Sequence, residues 1–196
     1  MKQEKEIIYF ITGNNHKFKE ITKLFQKEEL DYDLKQKTAA TIEIQASNIK
    51  EVALFKLNSV KTNFNHSYFV EDAGFFIDVP LKGFPGVYSK FVLNTIGNEG
   101  ILKLISDYEN TSAHFESAIA LYFQPLNEII VFKGTVEGKV SGKIRGTGGF
   151  GFDPIFIPKE MPTSTFAELT TEEKNSVSHR GKAWKKMFEF LNENQI

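Results

Sequence analysis

Cysteine is absent from the 196 residues. That excludes a disulfide framework, thiol catalysis and metal held by cysteine. No apolar run approaches the roughly 18 residues of a membrane-spanning helix. The charged start Met1-Lys2-Gln3-Glu4-Lys5-Glu6 has no apolar stretch behind it. The chain therefore reads as soluble and cytoplasmic, with no membrane partner. An excess of one charge is also missing. Lys plus Arg number 24 and Asp plus Glu 25, a formal net charge of -1. Nucleic-acid binding leans on a basic face, so this balance argues against it. Repeats, low-complexity segments and linkers are not found, and residues 1–196 read as a single domain. The Walker A pattern G-x-x-x-x-G-K-[ST] does not occur.

What is present is a globular composition. The chain is 41% hydrophobic with 19 phenylalanines, and a chain of this length can bury roughly 70% of its unfolded surface without staples. Residues 7–11 read as a buried strand and Thr12-Gly13-Asn14-Asn15 as a turn. Phe18, Ile21, Leu24 and Phe25 follow at helical spacing. Ile49, Val52, Ala53, Leu57 and Val60 mark a second helix behind an Asn48 N-cap. Residues 68–70 and 75–79 read as strands, with Glu71-Asp72-Ala73-Gly74 as a break between them. Gly83-Phe84-Pro85-Gly86 reads as a turn. Residues 100–105 look helical. Phe115, Ser117, Ile119, Leu121 and Phe123 alternate with their neighbours as in a strand, and residues 128–132 supply a partner. Seven glycines fall between Gly134 and Gly151. Pro154 and Pro158 predict extended chain over 152–158. Trp184, Met187, Phe188 and Leu191 form the stripe of a closing helix. The mixture predicts an α/β or α+β fold, a mixed sheet with helices around it.

Several residues carry chemistry. His179 and Arg180 open the last helix, at the end where cations are disfavoured. Such a placement suits a ligand rich in acceptors. Thr12-Gly13-Asn14-Asn15-His16-Lys17 joins a strand to a helix, and helix-start N–H groups bind anions. Taken alone, the loop reads more simply as an ordinary strand–helix turn with a solvated lysine. Gly146 to Gly151 formally matches G-x-G-x-x-G, but no helix follows, so the dinucleotide reading fails. What survives is a backbone able to approach a flat ligand beside Phe150 and Phe152, or else a glycine-rich hairpin with core aromatics. Glu71 and Asp72 are adjacent, and adjacent strand residues face opposite ways. Carboxylates suit Mg²⁺, which arrives with phosphates, and Glu43 could be a second acidic ligand; the alternatives are an exposed acidic turn at Glu71-Asp72 and a solvated strand residue at Glu43. Lys56 falls on the buried face of the second helix, where it either snorkels outward or meets an anion. Lys17, Lys56, Lys174 and Arg180 with these carboxylates suggest a nucleoside triphosphate with Mg²⁺.

At these residues the chain resembles the inosine triphosphatase family, most closely its archaeal members. The resemblance runs nearly end to end. It comprises Thr12-Gly13-Asn14-Asn15-His16-Lys17, Val70-Glu71-Asp72-Ala73-Gly74 and Gly83-Phe84-Pro85-Gly86-Val87-Tyr88-Ser89-Lys90. Gly148-Gly149-Phe150-Gly151-Phe152-Asp153-Pro154-Ile155-Phe156, Thr165-Phe166-Ala167-Glu168-Leu169 and Glu173-Lys174-Asn175-Ser176-Val177-Ser178-His179-Arg180 complete it. The resemblance implies an α/β fold with a long curved mixed sheet flanked by helices. It also implies two lobes without a separable linker, the cleft between them, and a homodimer. The implied activity is Mg²⁺-dependent cleavage of ITP, dITP and XTP to the monophosphate and pyrophosphate, which cleanses the nucleotide pool.

By position, the resemblance makes Asp72 the catalytic residue and a metal ligand, and Glu43 the second ligand. Lys17, Lys56 and the loop from Thr12 contact the triphosphate. Phe150, Gly151, Phe152 and Asp153 line the base and sugar pocket. Lys174, His179 and Arg180 read the base and its 6-oxo group. Ala73 stands where many members have Ser or Thr, which removes a hydroxyl contact. Phe152 stands where many have Tyr or Trp, which keeps stacking and loses a polar handle. Glu71 and Asp72 both remain candidates for the base. A nucleotide-binding sensor or scaffold without turnover is the alternative, and it would have no need of Asp72 or Glu43.

Overall fold

The computed structural model describes residues 5–28, 30–60 and 65–194. The first four residues of the charged start lie outside them. Seven strands form one mixed sheet. At one end β1 (Glu6–Ile11) is followed by α1 (Asn15–Lys27) and β2 (Tyr32–Lys37), and β1 and β2 run parallel. Next come α2 (Ile49–Ser59) and β3 (Ser67–Ile77). The short β4 (Phe84–Gly86) pairs with β3 and leads into α3 (Ser89–Thr95) and α4 (Gly97–Leu104). The long strands β5 (Ser112–Phe123) and β6 (Glu128–Val140) are antiparallel to one another. β7 (Phe156–Pro158) forms the far edge, and α5 (Thr171–Val177) and α6 (His179–Glu193) close the chain. The order across the sheet is β2-β1-β3-β5-β6-β7.

Two apolar clusters lie toward opposite ends of the long strands. One packs α1 and α6 on the sheet through Phe10, Phe69, Trp184, Met187 and Phe188. The other gathers Phe75, Phe115, Phe156 and Phe166 with Val92 and Ile101 from α3 and α4. A third cluster sits under α2, on the other face, with Ala53, Leu57, Ala118 and Ala120. Alternation along β5 explains the split: Phe115, Ile119 and Leu121 face α6, while Ala118 and Ala120 face α2. No helix among the described residues is long and apolar enough to cross a membrane.

One feature of the sheet positions the site. β1 pairs with β3 over only three residues, ending at Phe10 and Phe69. β4 takes up the same edge from Phe75. Between residues 70 and 74, no strand among the described residues covers that edge of β3. The chain leaves β1 there through Thr12 and enters α1.

Three expectations are corrected. Residues 71–74 are not a break, because β3 runs unbroken through them and pairs with β5 throughout. A buried carboxylate survives mid-strand because Lys17 and Arg180 neutralise it. The turn expected at 83–86 lies earlier, and residues 84–86 are strand. The expected extended run 152–158 begins with a 3₁₀ turn over Asp153–Ile155. Pro154 is tolerated there because a first-turn residue needs no N–H partner.

Candidate active site

The uncovered edge of β3 separates two clusters of charge. Alternation places Glu71 toward α6 and Asp72 toward α2. On the α6 side Glu71 has no side-chain exposure, yet it is ionised. Burial pushes its carboxyl upward, but Arg180 and Lys17 outweigh burial and hold it well below the usual carboxylate range. Lys17 Nζ lies 2.5 Å from Glu71 Oε2 and 3.4 Å from the Glu71 carbonyl oxygen. Arg180 Nε donates to Glu71 Oε1 at 3.3 Å, and the Ser117 hydroxyl donates to the same oxygen at 2.8 Å. Arg180 also reaches Glu20 at 3.2 Å. Lys174, itself buried, donates to Asp153 at 2.7 Å and lies 3.7 Å from Glu20.

Phe150 caps this side. Lys174 Nζ stands 4.9 Å and Arg180 Cζ 5.2 Å from its ring centre, close enough for cation–π attraction. The His16 ring lies 6.1 Å away, which brings the first loop to the same place. Asp153 shapes the glycine-rich loop by accepting the Phe150 N–H at 2.7 Å. Gly149 has φ +66°, and a Cβ there would strike Asp153. Gly151 also has positive φ. Phe152, expected at the base pocket, has its ring buried in the second apolar cluster, 5.0 Å from Phe75.

The α2 side is simpler. Lys56 Nζ donates to Glu43 Oε1 at 2.9 Å and to Asp72 Oδ2 at 3.0 Å. Burial opposes its charge, and the two carboxylates more than compensate, so its ammonium titrates above the ordinary lysine value. The Lys56 hydrogen bond holds Glu43 below the usual range, with help from Lys90 and Lys17. Asp72 Oδ1 accepts the Ala73 N–H at 3.0 Å.

The charge expected at the start of α6 is also corrected. His179 is neutral, because burial and then Arg180 push its imidazole well below 6.5. It stacks on Phe115 at 4.7 Å, and its Nδ1 has no partner. Only Arg180 is a cation there, and Glu71 and Glu20 offset its cost. The helix-start amides expected to bind an anion are partly committed. Asn14 Oδ1 accepts the N–H groups of His16 at 2.9 Å and Lys17 at 3.1 Å. Thr12 and Asn15 brace the loop through Gln36, which donates to the Thr12 carbonyl and to Asn15 Oδ1. Gly13 lies between them, and a Cβ there would meet nothing.

The structure therefore brings Lys17, Glu71, Phe150, Asp153, Lys174 and Arg180 together on one side, and Glu43, Lys56 and Asp72 on the other. Glu20 and Ser117 were not anticipated. Glu20 lies on α1, where its partners Lys174 and Arg180 are more than 150 residues away in sequence, so no local spacing reveals it. Ser117 is a lone hydroxyl on the apolar face of β5. Among the described residues no group of three or more His, Asp or Glu side chains is placed to hold a metal ion. Glu43 and Asp72 converge on one ammonium, and two carboxylates fit a hard cation that keeps water or phosphate oxygens as its other ligands. A surface groove of about 550 Å³ lies elsewhere, beside His114, Glu137 and Lys159, and none of the candidate residues lines it.

A mixed α/β sheet with interleaved cations and carboxylates at one open strand edge defines an α/β protein with a charged site able to hold an anionic ligand. More particularly, the chain belongs to the Ham1 family, whose model matches residues 8–190. It is 45% identical over 185 residues to a Thermococcus kodakarensis protein named dITP/XTP pyrophosphatase, covering 94% of this chain and 97% of that one. A Pyrococcus horikoshii protein of the same name is 44% identical, with 95% and 97% covered. Among solved structures, the Staphylococcus aureus Ham1 protein superposes with a TM-score of 0.82 at 26% identity, covering 97% and 100% of the two chains. A Mycobacterium abscessus nucleoside-triphosphatase/dITP/XTP pyrophosphatase gives 0.71 at 28% identity, with 92% and 97% covered.

Proposed function

We infer that this chain is a nucleoside triphosphate pyrophosphatase. It hydrolyses purine nucleoside triphosphates with a 6-oxo base, ITP, dITP and XTP, to the monophosphate and pyrophosphate. The near end-to-end relation to proteins named dITP/XTP pyrophosphatase carries this reading. Those proteins are named for turnover, so a sensor or scaffold is not favoured.

The charged clusters support a division of labour. A divalent metal, Mg²⁺ in this proposal, is held by Asp72 and Glu43; when bound it neutralises charge on the triphosphate. Asp72 orients the attacking water and takes its proton. The water oxygen bonds to the α-phosphorus, and the bond to the bridging oxygen breaks, releasing pyrophosphate. Lys17, at the open edge, and Lys56 stabilise the charge on the leaving group. Thr12, Gly13, Asn14, Asn15 and His16 form the wall along the phosphates, and Ala73 lies beside them. Phe150 stacks on the base, with Gly151 and Asp153 around the sugar. Lys174, His179 and Arg180 present donors to the base. The 6-oxygen of hypoxanthine or xanthine accepts from them, whereas the 6-amino group of adenine cannot. Glu71 holds Lys17 and Arg180 in place. Its carboxylate is fully buried and ion-paired with both cations, which leaves the more exposed Asp72 the better base.

The proposal extends to a homodimer working in the cytoplasm. Phe84, Tyr88 and Phe91, exposed around β4 and α3, offer apolar area for a second copy. Hydrolysis of ITP in ¹⁸O-labelled water tests the reaction. The label is expected in IMP, with unlabelled pyrophosphate released. Label in free phosphate, with IDP as product, would overturn it.

A further inference from the structure

We propose that Ser117 is a positioning residue that sets the reach of Arg180 toward the base by fixing one oxygen of Glu71. This rests on the function inferred above and adds a residue to it. On β5 the face toward α6 is apolar at Phe115, Ile119 and Leu121, and Ser117 interrupts it with complete burial. Burying a hydroxyl costs free energy unless it is hydrogen-bonded. Its hydroxyl donates to Glu71 Oε1 at 2.8 Å. β3 and β5 pair Ala73 with Ser117, so Ser117 is a diagonal neighbour of Glu71 on the same face.

The carboxylate is divided. Lys17 holds Oε2 and the Glu71 carbonyl, while Oε1 is shared between Ser117 and Arg180 Nε. The serine donor is the shorter contact and is anchored to a central strand. It pins Oε1 in the sheet, so the guanidinium approaches that oxygen only through Nε at 3.3 Å. Without the hydroxyl, Oε1 has Arg180 as its one remaining donor. The carboxylate turns toward the guanidinium and draws it down toward the sheet, away from the base. Lys17 keeps its own oxygen, so the phosphate end is spared.

The test compares Ser117→Ala with wild type in Mg²⁺. The measurements are kcat/KM for ITP and for ATP, and inhibition by inorganic tripolyphosphate, which has no base. The ratio of ITP to ATP turnover is expected to fall by roughly tenfold, the size of one hydrogen bond to a charged group. Tripolyphosphate inhibition is expected to stay within about twofold. Ser117→Cys fills the site with a slightly larger group that donates only weakly, and it is expected to move the ratio in the same direction. It stands in should the alanine variant not fold. An unchanged ratio overturns the role. So does an equal loss for both nucleotides and tripolyphosphate, which is the mark of a general structural defect. Wild-type protein that fails to hydrolyse ITP overturns the function and this inference together, whereas the other outcomes bear on Ser117 alone.

Discussion

Glu71 is a charged side chain inside a sheet, and its three donors come from α1, β5 and α6. Asp72, one residue on, faces away and shares Lys56 with Glu43. That division makes a sharp expectation for Asp72. Asp72→Asn is expected to lower kcat by about 10² to 10⁴, the usual size of a lost general base. Wild-type kcat at saturating Mg²⁺ would move the role elsewhere. His179 gives a second expectation. Its folded value lies below its unfolded one, so it is neutral in the fold and protonates on unfolding below about pH 6.5. The stability it contributes is present above that pH and is lost as pH falls, at about 1.4 kcal/mol per pH unit. Urea unfolding of wild type and His179→Phe from pH 7.5 to 5.5 checks this, and parallel profiles would refute it. At this scale the sequence was legible in residue type and less so in contact. Lys17, Lys56 and Arg180 stood out as cations in odd places. Their partner Glu20 did not, because a lone carboxylate on an amphipathic helix resembles any solvated one. The burial of Phe152 was not legible, because an aromatic beside a glycine loop has the same pattern whether it faces a ligand or the core.

Elements with strong periodicity were readable. The stripe of Trp184, Met187, Phe188 and Leu191 lies buried on α6, and Asn48 caps α2 as expected. β2 and α5 escaped notice. β2 is a polar edge strand, Tyr-Asp-Leu-Lys-Gln-Lys, with one fully buried side chain. α5 is seven residues with a single buried position, Lys174. Short elements that bury little leave little pattern. The continuity of β3 was hidden for another reason, since its tolerance of Glu71 depends on charges more than 50 and 100 residues away in sequence. One element contact is tight enough to test. A Cβ on Gly134 of β6 would lie 2.0 Å from the His179 carbonyl oxygen and 2.5 Å from the Ala183 nitrogen. Gly134→Ala must therefore push α6 off the sheet. Overpacking of this kind costs roughly 1–3 kcal/mol, and each kcal/mol lowers Tm by about 2–4 °C for a chain of this size. A thermal melt at unchanged Tm would show that α6 moves freely.

At the scale of the whole molecule, the mixed sheet and helical flanks were legible from the alternation of β5 and the helical stripes. The opening in β3 was not, because strand register is a long-range property. That opening is where both charged sides meet, and Lys17 touches one and is felt by the other. Each of the four cations already has a carboxylate against it. Chelating the divalent metal is therefore expected to abolish ITP binding itself, since the nucleotide's negative charge then meets Glu43 and Asp72 directly. Calorimetric titration with ITP in EDTA, set against Mg²⁺, checks this, and equal affinity in both would show that the metal serves only the chemical step. The pairing has a further consequence for how the two molecules meet. A naked row of cations throws its potential several ångströms into solvent and pulls in every passing polyanion, whether phosphate, nucleic acid or abundant ATP. Here that far field is extinguished by the neighbours of each cation. The protein is therefore expected to exert little pull at a distance, with nucleotides arriving by nearly unbiased diffusion. Sorting begins only on contact, when a ligand of the right shape makes the ion pairs exchange partners.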